Sequence, residues 1–68
     1  MKLVILFKAY SPKRDSWLSL KTVASTLLQF MEWMEAKGIE FTVVDAWPVT
    51  AVQAESVYWD KEYTPFSE

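Results

Sequence analysis

The stretch from Ser16 to Gly38 constrains the fold more than any other, because it contains no proline and its only glycine is its last residue. A period of about 3.6 residues between apolar side chains is typical of a helix that packs one face on a core. The pattern therefore predicts one amphipathic helix over residues 16–37. Its apolar face would contain Leu20, Val23, Ala24, Leu27, Met31 and Met34.

Both ends of this predicted helix carry end signals. Asp15 or Ser16 can accept a hydrogen bond from a free N–H group of the first turn. Gly38 can adopt a positive φ without a Cβ clash, which is the usual way for a helix to end. Ile39 would then follow in a position that often contacts the last turn, here at Met34.

The residues on either side of the predicted helix read as strands. Residues 2–10 (KLVILFKAY) are rich in β-branched and aromatic side chains on both faces, which predicts a central strand covered on both sides. Residues 39–47 (IEFTVVDAW) alternate and predict a strand with one buried face. The order strand–helix–strand predicts a βαβ unit, with a right-handed crossover if the strands are parallel.

The C-terminal third is less regular. Pro48 would end the second strand or bend it, and Thr50 could cap a short helix over residues 51–56 or begin a wide turn. Residues 56–63 alternate and predict an edge strand, followed by a tail over residues 64–68 in which Phe66 could fold back. The prediction is a single α/β (α+β) domain over residues 1–68, ordered βαββ, with a mixed two- to three-stranded sheet and one long helix on one face.

The composition excludes several kinds of chemistry. The chain has no cysteine, no histidine and a single glycine, so it lacks thiol nucleophiles, imidazole bases and the glycine-rich phosphate loops. We therefore predict no enzyme activity, no cofactor and no metal site. The absence of cysteine favours a cytoplasmic location. The apolar run Leu3–Phe7 is too short to span a bilayer, so we predict no membrane partner.

The predicted layers leave apolar surface without a cover. One helix covers one face of the sheet, and the other face must meet the C-terminal segment, a second copy of the chain, or another protein. Tryptophan and tyrosine are the residues most often found at interface hot spots. The candidate protein-binding residues are Tyr10, Trp17, Trp33, Tyr58 and Trp59.

The charge distribution supports an alternative. Residues 1–21 carry five basic side chains and one acidic side chain, whereas residues 22–68 carry two basic and eight acidic side chains. Basic residues interleaved with aromatic ones before a helix are typical of nucleic-acid contacts. The alternative is therefore a nucleic-acid-binding domain that uses Lys8, Lys13, Arg14 and Lys21, although the net charge of −2 is unusual for that class.

We expect a small protein–protein interaction module that uses exposed aromatic residues. In size and in its lack of cysteine the chain is similar, in a general way, to short phage proteins that act on host machinery. That resemblance implies an inhibitor-like protein that docks on a larger enzyme or complex. A homodimeric structural domain, with a second copy of the chain as the partner, is a further alternative.

Overall fold

The computed structural model describes residues 2–65. The three strands form one antiparallel sheet in the order β2–β1–β3. The mixed α+β class is therefore confirmed, but the order of elements is ββαβα instead of βαββ. The elements are β1 (Lys2–Ser11), β2 (Ser16–Ala24), α1 (Leu27–Ala36), β3 (Phe41–Val49) and α2 (Ala51–Tyr58).

The helix predicted over residues 16–37 is wrong in its first half, where the chain forms β2. The β1–β2 hairpin turns through residues 12–15, and Asp15 has a positive φ of 49° that suits a tight turn. Leu20 and Val23 fit a helical period, but Leu18 and Leu20 also alternate with Trp17 and Ser19. Pairing with β1 along the whole of β2 selects the two-residue period, because tertiary context overrides weak local propensity.

The second half of the predicted helix is α1, and its ends are fixed locally. The side chain of Thr26 accepts a hydrogen bond from the N–H of Gln29 and so caps the first turn. At the other end Gly38 has a φ of 69°, and the N–H of Ile39 donates to the C=O of Met34. This is the hydrogen-bonding pattern of a glycine-terminated helix, so the predicted helix end is confirmed.

The predicted βαβ unit is wrong, because β3 runs antiparallel to β1. The β1–β2 hairpin already reverses the chain before α1, and α1 then crosses to β3, which runs in the same direction as β2 on the other side of β1. The register between the two strands shifts after Leu6, which leaves Val44 without a partner on β1 and forms a β-bulge. This extra residue explains why the alternation of residues 39–47 breaks at Val44 and Asp45.

The edge strand predicted over residues 56–63 is also wrong, since α2 continues to Tyr58. Of the two alternatives predicted for residues 51–56, a helix or a wide turn, the helix forms. Thr50 caps it through a reciprocal pair of hydrogen bonds with Gln53. Only Tyr63 makes a strand-like bridge, to Lys21 of β2. The proposed folding back of Phe66 lies outside the described residues.

Each face of the sheet packs against one helix. The predicted central position of β1 is confirmed, with α1 on one of its faces and α2 over only the Val4 end of the other. The core between the sheet and α1 contains Ile5, Phe7, Ala9, Ala24, Phe30 and Met34. The smaller core between the sheet and α2 contains Val4, Val23, Val49 and Ala54.

Candidate functional site

The face of the sheet that carries α2 is covered at only one end. Val4 is completely buried beneath the helix, whereas Lys8, further along the same face of β1, is exposed. Trp17, at the hairpin end of this face, exposes 50% of its surface. The C-terminal segment therefore covers part of the second face and leaves the rest open.

The open part of this face forms one continuous surface. Residues that stand opposite each other in an antiparallel sheet point to the same side. Tyr10 stands opposite Trp17, and Lys8 stands between Ser19 on β2 and Thr42 on β3. We call these five residues the hairpin-end patch.

Tyr10 and Trp17 form an aromatic pair at the end of the patch nearest the turn. Their ring centroids are 5.7 Å apart with the planes at 63°, an edge-to-face arrangement. The Tyr10 hydroxyl donates a hydrogen bond to the carboxylate of Asp15 in the turn. This bond favours the protonated phenol and raises the pKa of Tyr10 above its usual value. The pair is therefore held in place before any partner binds.

The charge around the patch is mainly positive. Lys13 and Arg14 are exposed in the turn that joins β1 to β2, and Lys8 lies on the patch itself. Within residues 2–65, no carboxylate forms an ion pair with any of these three side chains. Asp15 is engaged by Tyr10. Three of the four basic residues proposed from the sequence therefore lie at one end of the sheet.

Lys21 serves a different purpose. Its ammonium lies 2.6 Å from a carboxylate oxygen of Asp60 and 3.9 Å from one of Glu62. Its backbone N–H donates to the C=O of Glu62, and its C=O accepts from the N–H of Thr64. Lys21 thus holds residues 60–64, which we call the C-terminal strap, against the outer edge of β2.

The strap makes the stability of the fold depend on pH. The ionised carboxylate of Asp60 is stabilised mainly by the Lys21 ammonium and to a smaller extent by the backbone N–H of Glu62, so the pKa of Asp60 lies below its usual value. A carboxyl with a lowered pKa in the folded state stabilises the fold above its unfolded pKa, and this contribution is lost as the pH falls through the folded pKa. Asp60→Asn is expected to lower stability at neutral pH and to reduce its change between neutral pH and strong acid.

Urea unfolding measured across this pH range tests the prediction. Glu62→Gln is the matched control, because Glu62 lies further from the Lys21 ammonium than Asp60 does. The control should keep most of the acid dependence. Identical pH profiles for the natural chain and Asp60→Asn would show that the ion pair does not contribute.

The remaining predicted aromatic residues lie elsewhere. Trp33 is half-buried against the α1-side core, and the Lys37 ammonium sits 4.9 Å from its ring centroid. Tyr58 packs edge-to-face on Tyr63, with ring centroids 5.1 Å apart. Trp59 is 88% exposed at the end of α2. The structure therefore brings together only Tyr10 and Trp17 of the five predicted protein-binding residues.

Sequence reasoning missed the exposed apolar side chains of the helices: Leu28 on the outer face of α1 and Val52 on the outer face of α2. Val44, exposed at the bulge in β3, did have a signal in the sequence, since it breaks the alternation around it. A shallow cleft of about 370 Å³ adjoins Tyr10 and is lined by Pro12 of the turn and by residues 37–40.

Comparisons with known proteins leave the site without a family context: no family model, curated protein or solved structure matches this chain. Within residues 2–65 no cluster of side chains is placed to hold a metal ion. None of the helices in that range is long and apolar enough to cross a membrane.

Proposed function

We propose that this chain is a protein-binding module whose hairpin-end patch docks on an acidic surface of a larger protein. One observation carries the proposal: Trp17 is half exposed, supported by Tyr10, and left uncovered by α2. Tryptophan and tyrosine dominate binding energy at protein interfaces when they are pre-positioned at the centre of a contact.

The charges beside this aromatic pair indicate the kind of surface it fits. Lys8, Lys13 and Arg14 surround the pair and have no described ionic partner. Opposite charges across an interface raise the association rate and disfavour wrong partners. An acidic partner surface is therefore the best complement, and an inhibitor-like protein that docks on an enzyme or complex would be one form of it.

Trp17→Ala is expected to weaken partner binding by about 2 kcal/mol, or roughly 30-fold, as for a hot-spot tryptophan. The partner is first identified in extract of the native host by photo-crosslinking from position 42, an exposed position of the patch that leaves Trp17 in place. Its affinity is then measured by calorimetry with the natural and variant chains. Circular dichroism should show an unchanged fold, because half of the Trp17 surface is already in solvent.

Trp59→Ala is the matched control, since it removes a second exposed tryptophan outside the patch. It should leave the affinity within about twofold of the natural value, as expected for a side chain outside the interface. The proposal is wrong if Trp59→Ala weakens binding while Trp17→Ala does not, or if the crosslinker at position 42 captures no protein.

A second candidate function is binding of single-stranded nucleic acid. The observation that favours it is the alignment of Lys8 with the Tyr10–Trp17 pair on one open sheet face, since bases stack on such aromatic surfaces. Oligothymidine binding would fall steeply with salt and would be abolished by Lys13→Glu combined with Arg14→Glu. Lys2→Gln is the control, because Lys2 is exposed at the opposite end of β1 from the turn.

A further inference from the structure

The outer edge of β2 presents free backbone groups. Lys21 directs its N–H and C=O away from β1, toward the strap. Successive residues of an antiparallel strand alternate between bonding to one neighbour and bonding to the other. Trp17 and Ser19 therefore direct their N–H and C=O groups outward as well. Within residues 2–65 no backbone partner reaches these two residues.

The two edges of the sheet differ in how they are protected against pairing. β3 carries Pro48 and the bulge at Val44, which are common protections of an exposed edge. β2 contains no proline, glycine or bulge, and its one charged residue, Lys21, is held by the strap. Only β2 is therefore suited to accept another strand.

The strap already shows that this edge accepts an added segment. Tyr63 forms a parallel bridge at Lys21, with hydrogen bonds of 2.8 and 2.7 Å on its two sides. The strap closes the edge at that point and leaves residues 16–20 open. This open stretch begins at the basic turn and contains Trp17 of the patch.

We infer that the partner binds by adding an extended segment to β2 along residues 16–20, and that this segment alternates acidic and apolar side chains. The inference rests on the proposed function and describes how that partner is held. An added strand gains affinity from its backbone hydrogen bonds and specificity from alternate side chains.

The two faces of β2 specify that alternation. Leu18 and Leu20 lie on the α1 side, where an added strand would place apolar side chains beside them. On the other side its alternate residues would lie beside Trp17 and Ser19 and close to the basic turn that precedes β2, where acidic side chains are complementary. A segment that alternates valine and glutamate meets both requirements.

The test uses a short peptide of alternating valine and glutamate, titrated to millimolar concentration into the isotope-labelled full chain. Amide signals of Trp17 and Ser19 should shift and their hydrogen exchange should slow, while those of the inward-bonded Leu18 and Leu20 should change less. A peptide of alternating valine and lysine is the control and should bind at least tenfold more weakly. Chemical synthesis of the chain with an N-methyl group on Ser19 should reduce binding roughly tenfold, whereas Ser19→Ala, which keeps the N–H, should not.

The inference is overturned if no amide shifts, if the shifts follow β3, or if the lysine peptide binds equally well. Shifts of Trp17 and Ser19 that grow with protein concentration alone would assign the edge to a second copy of the chain and would also overturn it. If Trp17→Ala weakens the natural partner but the N-methyl group on Ser19 does not, the proposed function stands and only the edge inference fails.

Discussion

Phe30→Ala is expected to unfold a large part of the protein population, because truncating a buried phenylalanine costs about 3–5 kcal/mol. Phe30 is fully buried in α1, and its ring lies 4.8 Å from that of Phe7 and 5.8 Å from that of Phe41. It therefore joins the helix to two strands of the sheet. A domain of this size has a margin of only a few kcal/mol, so the loss approaches its whole stability.

Urea unfolding followed by tryptophan fluorescence measures this effect. Leu28→Ala is the matched control, because Leu28 lies on the same helix with 66% of its surface exposed. The control should change stability by less than about 0.5 kcal/mol, as is usual for surface substitutions. Equal losses for the two variants would contradict the packing of α1 described above.

Thr22→Val is expected to stabilise the protein by about 1–3 kcal/mol, the usual desolvation penalty of a buried unsatisfied hydroxyl. Thr22 lies fully buried on β2, and within the described part of the chain its hydroxyl oxygen has no hydrogen-bond partner. Valine has nearly the same shape and suits a strand, so the substitution removes the penalty and leaves no cavity. Thermal unfolding should show a higher midpoint.

Thr22→Ser tests the contribution of the methyl group to stability separately from that of the hydroxyl. It keeps the hydroxyl and deletes a buried methyl, so it should lower the unfolding midpoint. If Thr22→Val also lowers the midpoint, the hydroxyl makes a hydrogen bond in solution, for example to a buried water molecule.

The residues of the patch could be proposed from the sequence, but their grouping could not. Tyr10 and Trp17 are aromatic residues on either side of a basic turn, which is visible in the sequence. With a helix assigned to residues 16–37, nothing placed the two rings together. Their contact depends on the pairing of β1 with β2. For Trp33 the sequence predicts too much exposure. Its position off the apolar face of the predicted helix suggests an exposed side chain, but in the fold it is half-buried against the α1-side core.

The role of Lys21 likewise depends on a contact between residues that are far apart in the sequence. The sequence grouped it with the other basic residues of the first third of the chain. In the folded chain a strap that begins 39 positions later supplies the carboxylate of Asp60. No local pattern reports a contact over that distance, so only the fold removes Lys21 from the basic surface.

The sequence by itself determined the features that depend on neighbouring residues. Gly38 ends α1 because its missing Cβ permits a positive φ, and Thr50 caps α2, one of the two alternatives that the sequence offered there. The start of α1 at Thr26 differs from the predicted start at Asp15 or Ser16, because residues 16–24 pair with β1. Tertiary structure alone decided that Ser16–Ala24 forms a strand, because its side chains suit either period and β1 supplies the hydrogen bonds that decide between them. It also decided which surface stays open, because α2 is long enough to cover only one end of the second face.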